Sequence, residues 1–136
     1  MSGGGSGGAL PPIGPPVPGP PPGYPAPAAQ PMSWSTHIHI VYGDEDDETS
    51  GGHLAGLQRP GKSEFPPSWN EEKIAQEVTS VAALPDTARQ AIDGTWRADA
   101  VRDGVTVRTY VRPDGTIATG FPLRGPGVKH NPPKRG

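Results

Sequence analysis

Three of the four histidines fall within 17 residues. His37 and His39 lie in the run His37-Ile38-His39-Ile40-Val41-Tyr42-Gly43, and His53 directly follows Gly51-Gly52. Imidazole both gives and takes a proton near neutral pH, so a pair drawn from these three suits general acid–base catalysis. Histidine and isoleucine alternate with a period of two. That spacing predicts a strand over His37–Tyr42, with His37 and His39 on one face and the isoleucines on the other. Gly51-Gly52 predicts an approach to His53 with no Cβ in the way, and Gly52 is expected beside the substrate.

The rest of the chain must position these groups. It has 136 residues, room for one domain. Gly and Pro fill 19 of the first 32 positions, and the first charged residue is Asp44. Such a segment buries too little apolar surface to offset its ordering entropy, so residues 1–32 are expected as a disordered Gly/Ser/Pro-rich linker. The folded domain is expected over 33–123, and a basic Pro/Gly-rich tail that frays over 124–136. Cysteine is absent, which excludes disulfides, thiolate catalysis and cysteine zinc sites. No apolar run approaches membrane-spanning length, and no basic region precedes an apolar stretch as in an ordinary signal peptide.

Net charge is −2, but the charges are segregated. Asp44 to Glu48 holds five of the 14 acids and is expected to be a hydrated loop. From Arg97 onward there are eight basic residues against three acids, enough for a positive face toward phosphates.

Ser68-Trp69-Asn70-Glu71 has the form of a capping box and opens a helix expected to run to about Leu84. Its buried stripe is Ile74, Ala75, Val78, Val81 and Ala82. Ala88, Ala91 and Ile92 predict a second short helix closed by Gly94. A β-meander follows. It comprises a strand over 95–101, a turn at Arg102-Asp103-Gly104, the alternating strand 105–111, a turn at Pro113-Asp114-Gly115 and a return strand over 116–121. The expected class is α+β, a small single domain with N-terminal helices followed by an antiparallel sheet.

Five short motifs occur in order: His39-Ile40-Val41-Tyr42-Gly43-Asp44, Gly51-Gly52-His53, Pro60-Gly61-Lys62-Ser63-Glu64-Phe65-Pro66, Trp69, and Ile117-Ala118-Thr119-Gly120-Phe121-Pro122. In this order they resemble the bacterial branch of the EndoU-type endoribonucleases, often the C-terminal toxin domain of secreted polymorphic toxins. The resemblance implies metal-independent cleavage of RNA, with tRNA among the candidate targets, through a 2′,3′-cyclic phosphate and with no cofactor. It implies catalytic roles for His39, His53, Lys62 and Thr119, and substrate contacts by Phe121, where relatives often carry tyrosine. It also implies a cognate immunity protein and delivery into a target cell, with action in that cell's cytoplasm.

His37 is the competitor for the role of His39, or else lines the groove or is simply exposed. Two readings of other classes stand beside this one. In the first, His37, His39 and His53 with a nearby carboxylate hold a metal for hydrolysis. In the second, a Pro-rich adaptor binds RNA or protein without catalysis. Trp34, Trp69 and Trp96 are expected in packing roles, and His130 in the tail is expected to be incidental.

Overall fold

Alternation over 105–111 does what it predicts. Strand β5 (Val105–Val111) buries Val105, Val107, Thr109 and Val111 and leaves the intervening side chains half-exposed. In the computed structural model, residues 17–18, 20–25, 32–48 and 50–133 are described. Asp103 and Gly104, both with positive φ, turn β4 (Trp96–Arg102) into β5, and Gly115 helps to return the chain into β6 (Ile117–Arg124). With β1 (Val17–Pro18) and β3 (Thr87–Gln90) these form an antiparallel sheet of order β1-β3-β4-β5-β6. A second, two-stranded sheet pairs β2 (Ser63–Glu64) with β7 (Lys129–His130).

Helix α2 (Glu71–Ala83) covers one face of the large sheet. Its cap is Asn70, whose side chain accepts from Lys73 N–H at 2.8 Å, rather than Ser68. Ile74, Val78, Val81 and Ala82 are buried, and Ala75 is half-buried. The Arg102 guanidinium on β4 donates to the carbonyls of Ser80 and Leu84 and so satisfies the helix's C-terminal end. Gly120 on β6 lies under Val78, where a Cβ would come within 2.7 Å of Val78 Cγ1.

Three expectations are corrected. The run His37–Tyr42 is not a strand but part of helix α1 (Trp34–Val41). Ser33 caps its start by accepting from Thr36 N–H at 3.2 Å, and Gly43, with φ of 84°, closes its end with its N–H on the Ile38 carbonyl. The β-branched alternation favours a strand locally, but both ends carry helix caps and the last turn is held by tertiary bonds described below. Residues 87–90 form an edge-side strand rather than a helix, because Ala88 pairs with Ala98 and fills the core. Residues 123–133 do not fray but are built into the fold. β6 continues to Arg124, β7 pairs with β2, and buried Asn131 donates to Glu64 Oε2 and the Arg59 carbonyl.

Part of the expected linker also packs on the domain. The Tyr24 ring meets Trp96 edge-on at 5.4 Å, and its hydroxyl donates to the Ala82 carbonyl. Residues 1–16, 19, 26–31, 49 and 134–136 lie outside the described residues. The observed architecture is α+β, with two helices and antiparallel sheets.

The core gathers Ile40 and Val41 of α1, the buried stripe of α2, and Phe65, Trp69, Trp96, Val107 and Ile117 among others. Phe65 is fully buried, stacks on Trp69 at 5.3 Å, and donates its N–H to the His53 carbonyl at 2.8 Å. Phe65→Ala is expected to lower the unfolding free energy by about 3–5 kcal/mol, read from urea midpoints at constant slope. A loss under about 1 kcal/mol would mean that this ring does not anchor the core.

Candidate active site

The end of α1 and the loop after it are one construction. A helix leaves its last carbonyls without intrahelical partners. Here the carbonyls of His39, Ile40 and Val41 accept, in register, from the N–H groups of Gly52, His53 and Leu54 at 3.0, 2.8 and 3.1 Å. Thus the helix end dictates where His53 sits relative to His39. Gly51 makes the approach possible. Its φ is 72°, and a Cβ there would overlap the His39 carbonyl oxygen.

His53 is only 4% exposed. Its Nδ1 lies 2.7 Å from the Ser63 carbonyl, which only accepts, so Nδ1 carries the proton and Nε2 is the free lone pair. Its ring packs on Phe121 with centroids 5.5 Å apart. Burial above all, helped by the charges of Lys62 and His39 and opposed by the Ser63 carbonyl, pushes its pKa down to about 4.

His39 is more open. Its Nδ1 lies 3.1 Å from Asp44 Oδ1, so this ring too holds its proton on Nδ1 and leaves Nε2 available. The Ser50 hydroxyl, donating at 2.7 Å, and the His39 ring hold the Asp44 carboxyl below its ordinary range. Arg59 donates to the Asp44 and Asp47 carbonyls and ties this acidic turn to the domain. The acidic run is therefore not simply a hydrated loop. Its first residue orients a histidine.

A cleft of about 590 Å³ is lined by His39, His53, Lys62, Tyr110, Thr119 and Phe121, among others. Thr119 and Phe121 are two apart on β6 and share the sheet face opposite α2. Tyr110, directly across from Thr119 on β5, meets Phe121 edge-on at 5.7 Å. Two of the expected site residues are elsewhere. Gly52 does not line the cleft, because its N–H is taken by the His39 carbonyl and its Cα faces Arg59. His37 sits away from it, with Nε2 2.9 Å from Glu71 Oε2 and its ring stacked on Trp34 at 4.9 Å. In a helix, residues two apart point roughly 200° from one another, so His37 and His39 do not share a face. Among the described residues no group of three or more histidine or carboxylate side chains is placed to hold a metal.

Asp44, Ser63, Tyr110 and His130 also belong to this region. Asp44, five residues after His39 and just past a helix-closing glycine, was within reach of a helical reading. Ser63 acts through its backbone, which no side-chain pattern signals.

The stability of the domain should report the state of His53. Its folded pKa lies below the ordinary 6.5, so between these values the unfolded chain binds the extra proton. The stabilisation is present above pH 6.5 and lost as pH falls toward 4. We expect unfolding free energy to drop by about 2 kcal/mol from pH 7 to pH 5, a slope that His53→Asn should flatten. Urea melts at the two pH values check this, and parallel slopes in the two proteins would refute it.

A buried imidazole with a free Nε2, a carboxylate-held imidazole, a lysine and a threonine share one cleft, a set of groups suited to acid–base chemistry. The family model for bacterial EndoU nucleases matches residues 55–124, just over half of the chain, and the chain belongs to that family. A nuclease function follows from that membership. Lys62, Tyr110, Thr119 and Phe121 fall inside the matched segment, while His39, His53 and Asp44 precede it. No curated protein and no solved structure shows a significant match. No helix among the described residues is long and apolar enough to cross a membrane.

Proposed function

We propose that the domain is a metal-independent endoribonuclease that cleaves RNA by transesterification. The observation that carries this reading is the pairing of His53 and His39 in one cleft, each with Nδ1 committed to an acceptor and Nε2 left over. His53 is the base: its low pKa keeps Nε2 unprotonated at neutral pH, ready to take the ribose 2′-hydroxyl proton. The 2′-oxygen bonds to phosphorus, the bond from phosphorus to the 5′-oxygen breaks, and protonated His39 supplies the proton to that oxygen. The products carry a 2′,3′-cyclic phosphate and a 5′-hydroxyl. Lys62, whose ammonium has no partner among the described residues, neutralises the charged phosphorane. Thr119 donates a hydrogen bond to the substrate, and Phe121 stacks against a base.

The same reading takes the domain as a toxin delivered into a target cell, with an immunity protein as partner. That part rests on the chain's resemblance to the bacterial EndoU branch, in which the domain is often the C-terminal toxin of a secreted polymorphic toxin. The test is cleavage of RNA in excess EDTA, with end-group analysis of the products. Cyclic phosphate ends formed in EDTA are the expected result. Cleavage only with added divalent metal, or binding without cleavage, would overturn it.

A further inference from the structure

The fourth histidine, His130, lies beyond the segment that matches the family model, in a basic stretch with no role in the chemistry above. It nevertheless lines the same cleft as His39, His53 and Lys62. The backbone that carries it is fixed. His130 pairs with Ser63, the residue whose carbonyl holds His53 Nδ1. On the next residue, the N–H of Asn131 donates to the Lys62 carbonyl at 3.0 Å, and its buried amide holds Glu64 and Arg59. Gly61 donates to the Pro132 carbonyl at 2.8 Å.

Side chains alternate along β7, so Lys129 turns to a different depression, with Glu48 and Gln58, while His130 faces the cleft. The His130 ring has no hydrogen-bond or ion-pair partner among the described residues, and it is exposed where His53 is buried. A donor with no internal partner, on an anchored backbone, at the rim of a cleft for a polyanion, is organised for an incoming acceptor. The charged groups it shares that cleft with are Lys62, His39 and Asp47.

We infer that His130 binds a non-scissile phosphate of the RNA, which makes the cleft a site for a strand longer than a dinucleotide. The inference rests on the ribonuclease reading for its substrate. Imidazole donates to a phosphate oxygen in either protonation state, more strongly when charged. It leaves the chemical step to His39, His53 and Lys62.

The experiment compares His130→Ala with wild type on two substrates. One is a dinucleotide, with only the scissile phosphate. The other is an oligonucleotide with a single ribose at the cleavage position and 2′-O-methyl sugars on both sides. His130→Ala should raise KM for the oligonucleotide by about 10-fold with kcat nearly unchanged, and leave dinucleotide kinetics as in wild type. His130→Lys, which restores a cationic donor, should recover most of the KM. Equal losses on both substrates, a fall in kcat, no change on either, or failure of lysine to rescue would each overturn the inference. A binding arm uses a fully 2′-O-methylated oligonucleotide, which cannot be cut. If wild type cleaves neither substrate, the ribonuclease reading fails. The binding arm still decides whether His130 holds a phosphate: weaker binding by His130→Ala at unchanged Tm supports it, and equal binding refutes it.

Discussion

His39→Ala and His53→Asn should each lower the rate of cleavage of ordinary RNA by about 10²- to 10⁴-fold, the usual worth of a positioned acid or base. The two variants should part company on a substrate with an activated leaving group. A nucleoside 3′-aryl phosphate loses a phenolate, which needs no proton. On that substrate His39→Ala should regain most of its activity, because the step it serves has been made easy. His53→Asn should stay inactive, because the 2′-hydroxyl still has to lose its proton. Asparagine is chosen at position 53 so that an amide N–H still meets the Ser63 carbonyl and the buried site is not orphaned. Rescue of His53→Asn in place of His39→Ala would exchange the two roles. Near wild-type cleavage of RNA by either folded variant would remove the histidine pair from the mechanism.

Gly51→Ala should be nearly as damaging to activity although it replaces no ionisable group. The added methyl meets the His39 carbonyl oxygen, which is itself the acceptor for Gly52 N–H, and φ at this residue lies in the left-handed region. The methyl would also come within 3.0 Å of Cε1 of the His39 ring. Backbone strain of this kind costs about 1–3 kcal/mol before any clash is counted. The loop can relieve it only by breaking the three bonds that tie residues 52–54 to the end of α1. Those bonds set the distance between the two imidazoles, so we expect at least about 10²-fold loss of cleavage, since misplacement by about 1 Å has that effect. Thermal melts and single-turnover rates check both halves. An alanine variant with wild-type rate would mean that the loop geometry does not govern the site.

Some of this was open to inspection in the residues. The stripe on α2 and the alternation over 105–111 each carry their own period. The turn residues at 103–104 and 115 need backbone angles that glycine and short polar residues adopt. Those signals are local and strong, and the α2 core face and the β4–β6 meander followed from them. The order of short motifs also reached the family, which the match over residues 55–124 bears out.

The strand reading of His37–Tyr42 failed for a physical reason. Two isoleucines alternating with histidines satisfy a strand's period over a few residues, and a helix of eight residues shows little more than two turns of its own. What settles it is the cap at Ser33, Gly43 at the far end, and the partners for three terminal carbonyls, supplied from residues 52–54. Similarly, 87–90 reads as helix from its alanines until it is paired with β4.

Side-chain chemistry, then, could be read from composition and order: imidazoles, a lysine and a threonine near glycine turns, in a chain without thiols. Which imidazole keeps its lone pair free could not. That depends on a carbonyl ten residues away, on burial, and on a carboxylate brought round by a helix end. Likewise His130 is an unremarkable tail residue until β7 pairs with β2 and carries it into the cleft. Residue types and their local periods are properties of the chain. Protonation and proximity are properties of the space the folded chain encloses.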